Sequence, residues 1–458
     1  MGRQIRQWLA CLTCTISVAM TGTSYVWTAP LLVRLTSPES PLPMTSTETS
    51  WISSFIEFGE LFTTIPVGLL ADRYGRKTVM QISAPLILIG WILTATTRSI
   101  PIIFLVRIIH GIALAISFTV VPMYIAEVAE PKIRGVLAGQ FQSMWYLGCL
   151  YAYISGPYLS YNNYVYVCAI VPVICSILFL YIPESPYYLL MANNEEKASE
   201  SLSWLRGGCD FKFEFQRIKE SVEHDMKLKG SWRDLFATKT DRKSFLIVQF
   251  CCLIKYLGGM AAVAIYASQT FHEELSNLLG SDEMTIVFGV ILFLTTFSAA
   301  FLTDKIGRKP LLIFSSGGAA LFSSVIALIY YLDSHTELDV SSYKWISYVA
   351  MISFSVITNI GLGPLMQTIQ AEYFPSHTRA IAGGITEMVA AIGTFVCIIQ
   401  YQTISDYFGT YMNYVVYCVV NIIGMVTFAI VITETAGKSL GQIQDTFQQK
   451  TNDNKISA

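Results

Sequence analysis

Twelve long apolar runs, each bounded by charged or turn-forming residues, constrain the fold of this chain more than any other feature of its sequence. A helix needs about 20 mainly apolar residues to cross the hydrocarbon core of a bilayer. In lipid the backbone polar groups must be satisfied within the segment, so each run is expected to be a helix. The runs lie near 8–33, 51–71, 79–97, 101–126, 136–158, 164–182, 244–270, 283–303, 310–332, 342–369, 381–403 and 410–432. The sequence therefore predicts an all-α membrane protein with twelve transmembrane helices.

The composition agrees with a membrane protein and argues against several other classes. Only 14% of the 458 residues are charged, whereas soluble domains usually carry about 25%. The net charge of −2 gives no reason to expect a nucleic-acid partner. The ten cysteines fall mostly inside apolar runs, which indicates packing rather than a disulfide framework or a metal site. No catalytic triad, Walker loop or dinucleotide loop stands in a suitable context, so we expect neither an enzyme nor a bound cofactor.

The distribution of basic residues predicts the orientation of the helices. Only three of the 30 basic residues, Arg34, Arg98 and Lys344, fall in loops on the outer side, and cytoplasmic loops are the ones rich in Lys and Arg. Both termini are therefore predicted to be cytoplasmic, in a multi-pass protein of the plasma membrane. The predicted organisation is an N-terminal six-helix bundle over 1–182, a cytoplasmic linker with short amphipathic helices over 183–243, a C-terminal six-helix bundle over 244–432 and a cytoplasmic tail over 433–458.

A charged motif occurs once in each half of the chain. The pattern Asp-basic-x-Gly-Arg-Lys starts at Asp72 and again at Asp304, and a glutamate precedes an arginine by seven residues at Glu127–Arg134 and at Glu372–Arg379. The duplication indicates two related bundles, with a substrate site near the midplane between them. A loop that only sets topology is the simpler alternative. We predict instead an inner gate that consists of Asp72, Arg73, Arg76, Glu127, Arg134, Glu184, Asp304, Arg308, Glu372, Arg379 and Glu434.

These motifs resemble those of the major facilitator superfamily, and specifically its sugar-porter family. The resemblance covers nearly the whole chain and rests on the duplicated loops together with several shorter segments. Those segments are Arg107–Gly111, Pro122–Glu127, Pro183–Pro186, Gly363–Pro364 and Glu434–Gly437. The sequence Pro-Glu-Ser-Pro at 183–186 is the segment most specific to sugar porters. Two further segments, at 27–30 and 48–51, are similar to those of the insect facilitated trehalose transporters.

The resemblance implies the major facilitator fold, in which two bundles alternate access to a sugar site between them. Gln142 and Tyr266 match residues of the family's sugar site. Other positions depart from the family pattern, because Lys255-Tyr256 replaces a pair of glutamines, Gln367 replaces a tryptophan, and Ala390-Ala391 replaces Asn-Trp. The substrate-binding residues are therefore predicted to be Gln142, Lys255, Tyr256, Tyr266, Asn359 and Gln367.

Five charged side chains are predicted to lie inside the membrane. At a rise of 1.5 Å per residue, Lys255 lies roughly 18 Å and Glu387 roughly 12 Å from the cytoplasmic ends of their helices. Such charges persist when they are paired or line a water-filled cavity. Lys255 is predicted to be either a substrate-facing cation, which would favour polyols bearing a carboxylate or phosphate, or a structural lysine paired with Glu387. Arg107 is expected to form a structural ion pair with Glu57 or Glu60, and proton coupling would need one of these two carboxyls.

The sequence predicts a facilitative transporter whose partners are the lipid bilayer and a small polar solute, which is expected to be a sugar or a related polyol. Two alternatives remain open. One is a proton-coupled carrier of another polar or anionic solute, and the other is a nutrient sensor that keeps the fold without transporting. Retention of the gate motif in both halves favours a protein that cycles between conformations.

Overall fold

The computed structural model describes residues 2–40, 42–208, 211–227, 231–275, 280–336, 343–374 and 376–434. Within these residues the regular secondary structure is helical and contains no strand. The chain divides into two units, with the division between residues 229 and 230. The fold class predicted from the sequence is confirmed: the chain is an all-α membrane protein.

The first unit contains the six expected spans followed by three short helices. Its α-helices are α1 (Gly2–Val26), α2 (Leu32–Leu35), α3 (Ser46–Ser54), α4 (Ile56–Tyr74), α5 (Arg76–Thr96), α6 (Ile100–Val128), α7 (Pro131–Tyr158), α8 (Tyr161–Leu178), α9 (Pro186–Met191), α10 (Glu195–Leu205) and α11 (Lys212–Lys227).

The second unit contains the other six expected spans, two of which are interrupted. Its α-helices are α12 (Lys239–Leu257), α13 (Met260–Leu275), α14 (Ser281–Ile306), α15 (Arg308–His335), α16 (Lys344–Ile360), α17 (Leu362–Tyr373), α18 (Ser376–Phe408) and α19 (Thr410–Val431).

Among the described residues, eleven helical segments are long and apolar enough to cross a membrane. They are Ile5–Leu35, Ser46–Tyr74, Arg76–Thr96, Ile100–Val128, Tyr161–Leu178, Lys239–Phe271, Asp282–Ala299, Arg308–His335, Lys344–Gln370, Ile381–Phe408 and Thr410–Val431. The twelfth expected span corresponds to α7, whose 28 residues would extend about 42 Å as a helix. Polar residues such as Gln140, Gln142 and Ser143 lower the mean hydropathy of α7.

The duplicated charged loops make the same sharp turn in both units. Gly75 separates α4 from α5 with a φ of 104°, and Gly307 separates α14 from α15 with a φ of 94°. Residues with a side chain rarely adopt this backbone conformation, so the glycine in the motif is required by the turn. The turn brings the start of α5 or α15 close to acidic residues from elsewhere in the same unit.

Two spans of the second unit are broken near their middles. The chain turns at Gly259, with a φ of 102°, between α12 and α13, and the amide of Asn421 donates to the carbonyl of Gly258 at 3.1 Å. The other break falls at Gly361 between α16 and α17, where the Ser315 hydroxyl accepts a hydrogen bond from the backbone N–H of Leu362 at 3.2 Å. Side chains from α15 and α19 thus satisfy the backbone groups that each break releases, as a span requires in lipid.

Three short helices, α9, α10 and α11, follow the sixth span and pack against one another within the first unit. Leu190, Ala198 and Val222, one from each of α9, α10 and α11, form a small buried cluster. Arg206 anchors the group, because its guanidinium donates to the carbonyl of Val128 at the end of α6 at 3.2 Å. The bounds predicted for the bundles and the linker stay a prediction, and residues 435–458 of the predicted tail lie outside the described residues.

Candidate functional site

Arg76 is the centre of a buried charge cluster in the first unit. Its side chain is only 3% exposed, and it makes salt bridges to Glu127 at 3.0 Å and to Asp72 at 3.0 Å. It also donates to the carbonyl of Ala71 at 2.8 Å, and the hydroxyl of Ser185 donates to Glu127. The cluster therefore ties the ends of α4 and α6 to the start of α5 and to the segment before α9.

A second acid of the first unit stabilises the start of α5. The carboxylate of Glu184 accepts hydrogen bonds from the backbone N–H of Lys77 at 3.0 Å and from that of Thr78 at 3.5 Å. The first N–H groups of a helix have no partner within the helix, and its positive dipole end attracts an anion. Glu184 thus caps α5, although it lies more than 100 positions after Lys77 in the sequence.

The second unit repeats this arrangement. Glu434 accepts from the backbone N–H of Arg308 and from that of Lys309, both at 3.0 Å, so it caps α15 as Glu184 caps α5. The guanidinium of Arg308 makes a salt bridge to Glu372 at 3.3 Å, as Arg76 does to Glu127. The duplication seen in the sequence is therefore a duplication of contacts.

The other predicted gate residues differ in their contacts. Arg134 donates to the carbonyl of Ala129 at 3.1 Å, so Arg76 rather than Arg134 is the cation that binds Asp72 and Glu127. Arg73 is exposed and lies over the ring of Tyr74. The side chains of Asp304 and Arg379 lie outside the described residues.

A small cleft in the second unit brings together two of the charges predicted inside the membrane. Its lining consists of Cys252, Lys255, Tyr256, Met366, Gln370, Thr386, Glu387 and Ala390. The ammonium of Lys255 donates to the carbonyl of Gly363 at 3.1 Å and lies 4.9 Å from the centre of the Tyr256 ring. Lys255 and Glu387 also interact electrostatically. The helix break at Gly361 precedes α17, and the carbonyl that accepts from Lys255 lies in the first turn of that helix.

Two of the predicted sugar-binding residues are engaged in packing within the second unit. Tyr266 is buried, stacks on Tyr401 with ring centres 4.3 Å apart, and its hydroxyl donates to the carbonyl of Ile398 at 3.4 Å. Asn359 is also buried, and its amide donates to the carbonyl of Ser355 at 2.9 Å. In this conformation both residues support the helices around the cleft rather than lining it.

The three remaining residues predicted to bind sugar lie in different places. Tyr256 lies in the cleft. Gln142 of α7 is partly exposed in the first unit. The side chain of Gln367 lies outside the described residues.

Arg107 is fully buried in the first unit. Its described hydrogen bonds go to backbone carbonyls and not to a carboxylate. Its guanidinium donates to four carbonyls, those of Ser24 at 2.5 Å, Ile52 at 2.8 Å, Ser53 at 3.2 Å and Tyr25 at 3.3 Å. These carbonyls belong to α1 and α3, so Arg107 of α6 holds the ends of two neighbouring helices together. A buried guanidinium with this many acceptors satisfies most of its five N–H donors.

The two acids predicted near Arg107 bind each other. The side chain of Glu57 hydrogen bonds to those of Glu60 and Tyr25, and Glu57 and Arg107 interact electrostatically. Both acids are buried. The hydrogen bonds described for Arg107 go to backbone carbonyls, and its interaction with Glu57 is electrostatic.

The sequence interpretation missed two polar residues of the cleft, Gln370 and Thr386. Gln370 lies one helical turn after the predicted Gln367, so an i, i+3 search along α17 would have found it. It was hidden because expectations were taken at single matching positions rather than along a helix face.

The cleft residues can hydrogen bond to a polar solute and present little net charge. Gln370 carries an amide that both donates and accepts, and the hydroxyl of Thr386, another lining residue, accepts from the amide of Gln249 at 2.9 Å. The positive charge of Lys255 faces the negative charge of Glu387, so the pair compensates its own charge in a medium where an isolated charge is costly. Such a surface suits a neutral solute with several hydroxyl groups.

Comparisons with known proteins agree with this geometry. The family described as "Sugar (and other) transporter" matches residues 13–447. Facilitated trehalose transporter Tret1 of Bombyx mori is 28% identical over 444 residues, which are 96% of this chain and 86% of that protein. Putative metabolite transport protein YwtG of Bacillus subtilis is 28% identical over 415 residues, which are 88% of this chain and 87% of that protein.

The fold is similar to that of a solved transporter. The inward open structure of the xylose transporter XylE from E. coli superposes with a TM-score of 0.79 at 20% identity, over 96% of this chain and 99% of that one. At this identity the comparison shows the fold. It is the major facilitator fold that the sequence motifs predicted.

Proposed function

Because the chain belongs to the family Sugar (and other) transporter and is a multi-pass transporter of the sugar-porter type, we propose that it carries a neutral sugar or cyclic polyol across the plasma membrane by facilitated diffusion. The solute is released chemically unchanged, so the protein is not an enzyme. The two bundles alternate the access of one site between the two sides, with both termini in the cytoplasm.

One observation supports a neutral solute above all. Lys255, the cation that the sequence placed at the substrate site, shares its cleft with Glu387, with which it interacts electrostatically. A cation offered to an anionic solute would need no carboxylate beside it. The amide of Gln370 and the hydroxyls of Tyr256 and Thr386 also belong to the lining, and these groups bind vicinal hydroxyls well.

The function is tested by uptake in cells that lack their own sugar transporters. We expect saturable uptake of at least one radiolabelled neutral solute from a panel of glucose, xylose, trehalose and myo-inositol, and weaker uptake of gluconate, which carries a charge. Cells with an empty vector provide the background. Saturable uptake of gluconate without uptake of any neutral member would contradict the proposal, as would the absence of uptake of every member by protein shown to be at the cell surface.

A further inference from the structure

The first turns of α12 carry basic side chains on the same helix face as exposed apolar ones. Lys239, Arg242 and Lys243 are exposed, and so are Leu246 and Phe250 further along the helix. With 3.6 residues per turn, these five positions fall within about 100° of one another around the helix axis. Because α12 begins one of the segments that are long and apolar enough to cross a membrane, Leu246 and Phe250 face lipid. The basic residues lie about 5–10 Å nearer the start of the helix than Leu246, which is the level of the lipid headgroups.

A short 3₁₀ helix over Trp232–Phe236 precedes α12 and adds an exposed aromatic ring. Trp232 is 60% exposed, and the guanidinium of Arg233 lies 5.5 Å from the centre of its ring. The fold fixes this short helix, because Leu235 is buried in the core of the second unit and the ring centre of Phe236 lies 5.0 Å from that of Phe245. Tryptophan is enriched at the membrane–water interface, where its apolar ring meets lipid and its N–H meets polar groups. An exposed tryptophan held at this end of a span suits that level.

The acidic residues of this segment do not pair with its basic residues. Asp234 accepts from the backbone N–H of Ser231 at 2.7 Å, and Asp241 accepts from that of Thr238 at 3.1 Å, so each carboxylate caps the start of a helix. Asp241 also lies about 140° around the helix from Leu246, away from the exposed face. Among the described residues, no acid forms a salt bridge with the basic residues of this surface. The exposed face therefore carries positive charge that the protein leaves uncompensated.

Arg242 is held in place by the fold. Its Nε donates to the carbonyl of Phe236 at 2.8 Å, and its two terminal nitrogens have no hydrogen bond to any described residue. A planar guanidinium binds two phosphate oxygens with two parallel N–H groups. Because one edge of the guanidinium is already fixed, less side-chain freedom is lost when a phosphate binds.

We propose that the exposed basic and aromatic residues at the start of α12 bind the headgroup of an anionic phospholipid. This headgroup surface consists of Trp232, Arg233, Lys239, Arg242 and Lys243. The lipid phosphate lies among the basic side chains, and the acyl chains run along Leu246 and Phe250. In the orientation proposed above, the lipid belongs to the cytoplasmic leaflet, whose anionic lipids attract clusters of Lys and Arg beside a span. A zwitterionic lipid has the same chains without the net charge, so it binds this surface more weakly.

The proposal is tested in proteoliposomes by quenching of Trp232 with brominated lipids. The chain contains eight tryptophans, so the fluorescence of Trp232 is taken as the difference between the unmodified protein and Trp232→Phe. We expect brominated phosphatidylserine, at a low mole fraction in phosphatidylcholine, to quench this fluorescence at least about threefold more than the same fraction of brominated phosphatidylcholine. The preference should weaken in 1 M salt, where the Debye length is only about 3 Å.

Paired lysine variants locate the preference on the protein. Lys239→Gln/Lys243→Gln should lower the ratio of the two quenching values to below about 1.5, because each basic residue near the surface contributes to the attraction. Lys197→Gln/Arg217→Gln is the matched control, since it removes the same charge from exposed residues of α10 and α11. The control should keep the ratio of the unmodified protein.

Three results would overturn the proposal. Equal quenching of Trp232 by the two brominated lipids in the unmodified protein would leave the basic residues as a signal for topology alone. An equal fall of the ratio in both paired variants would mean that charge anywhere on the protein is sufficient. Loss of the preference when inorganic phosphate or glycerophosphoserine is added at constant ionic strength would indicate a site for soluble anions rather than for a membrane lipid.

Discussion

Replacement of Arg76 by glutamine is expected to lower the uptake rate per surface copy at least about tenfold, because a change of about 1.4 kcal/mol in the balance between conformations already gives a factor of ten. Arg76 is 3% exposed and is paired with Glu127, which is itself only 12% exposed. Removal of the cation leaves that carboxylate buried without its charge partner. Breaking one side of a buried ion pair typically costs about 3–5 kcal/mol.

The same substitution should lower the thermal unfolding midpoint of the purified protein by at least about 5 °C. The double variant Arg76→Gln/Glu127→Gln should recover most of this loss, because it removes both charges and leaves no isolated one. Arg73→Gln is the matched control, since Arg73 is exposed and its loss should change the midpoint by little. If Arg76→Gln retained both the uptake rate and the midpoint of the unmodified protein, the cluster would have no part in the transport cycle.

The second unit allows a graded comparison. Arg308 makes the equivalent salt bridge to Glu372, but its side chain is 15% exposed and the distance is 3.3 Å. Because a more exposed salt bridge is screened more strongly by solvent, breaking it costs less stability. Arg308→Gln should therefore impair uptake in the same direction as Arg76→Gln, with a smaller shift of the midpoint. A larger effect at Arg308 would contradict the ranking by burial.

Replacement of Glu387 by glutamine should change which solutes are carried. It leaves Lys255 without the negative charge that shares its cleft. An ammonium that no carboxylate compensates favours an anion, and a hydrogen bond to a charged group is worth about 1.5–3 kcal/mol. The ratio of gluconate uptake to neutral-sugar uptake should therefore rise about tenfold or more. The measurement is competition between the two labelled solutes in transporter-null cells.

Two further variants distinguish an effect of the cleft charges on the choice of solute from a general effect on the fold. Lys255→Gln/Glu387→Gln has a cleft without either charge, so its preference should return to neutral solutes. Lys344→Gln is the control, because Lys344 pairs with Asp333 at 2.9 Å in another part of the second unit, and its loss should leave the solute ranking unchanged. If Glu387→Gln and the control gave the same ranking as the unmodified protein, Lys255 and Glu387 would be structural and would not face the solute.

The sequence predicted the number and type of helices well because length and apolar content decide whether a segment spans a membrane. It did not predict the helix break at Gly361. The run near 342–369 stays apolar through Gly361, yet α16 ends and α17 begins there. Such a break depends on a side chain from another helix, here Ser315, that takes over the released backbone hydrogen bonds. Contacts of this kind arise from packing and leave no mark in the hydropathy of the run.

The charged sites, too, were predicted from the sequence only in part. The repeated spacing identified Arg76, Glu127 and Glu184 as one cluster, but spacing alone could not tell whether Arg76 or Arg134 would bind Glu127, because both are long cations near the same helix ends. The depth estimates predicted comparable depths for Lys255 and Glu387, and the structure has both in the lining of one cleft. They could not predict the bond from Lys255 to the carbonyl of Gly363, because this residue begins the helix after an unforeseen break.

The central claim is that the protein carries a neutral sugar or cyclic polyol by facilitated alternating access, and counterflow in proteoliposomes tests it most directly. Purified protein is placed in vesicles that contain unlabelled solute but have no ion gradient, and the entry of labelled solute is followed. We expect labelled solute to enter transiently above its equilibrium level, because loaded carriers return in exchange for it. Entry that never exceeds the level in vesicles without internal solute, or that occurs only with an imposed proton gradient, would contradict the claim.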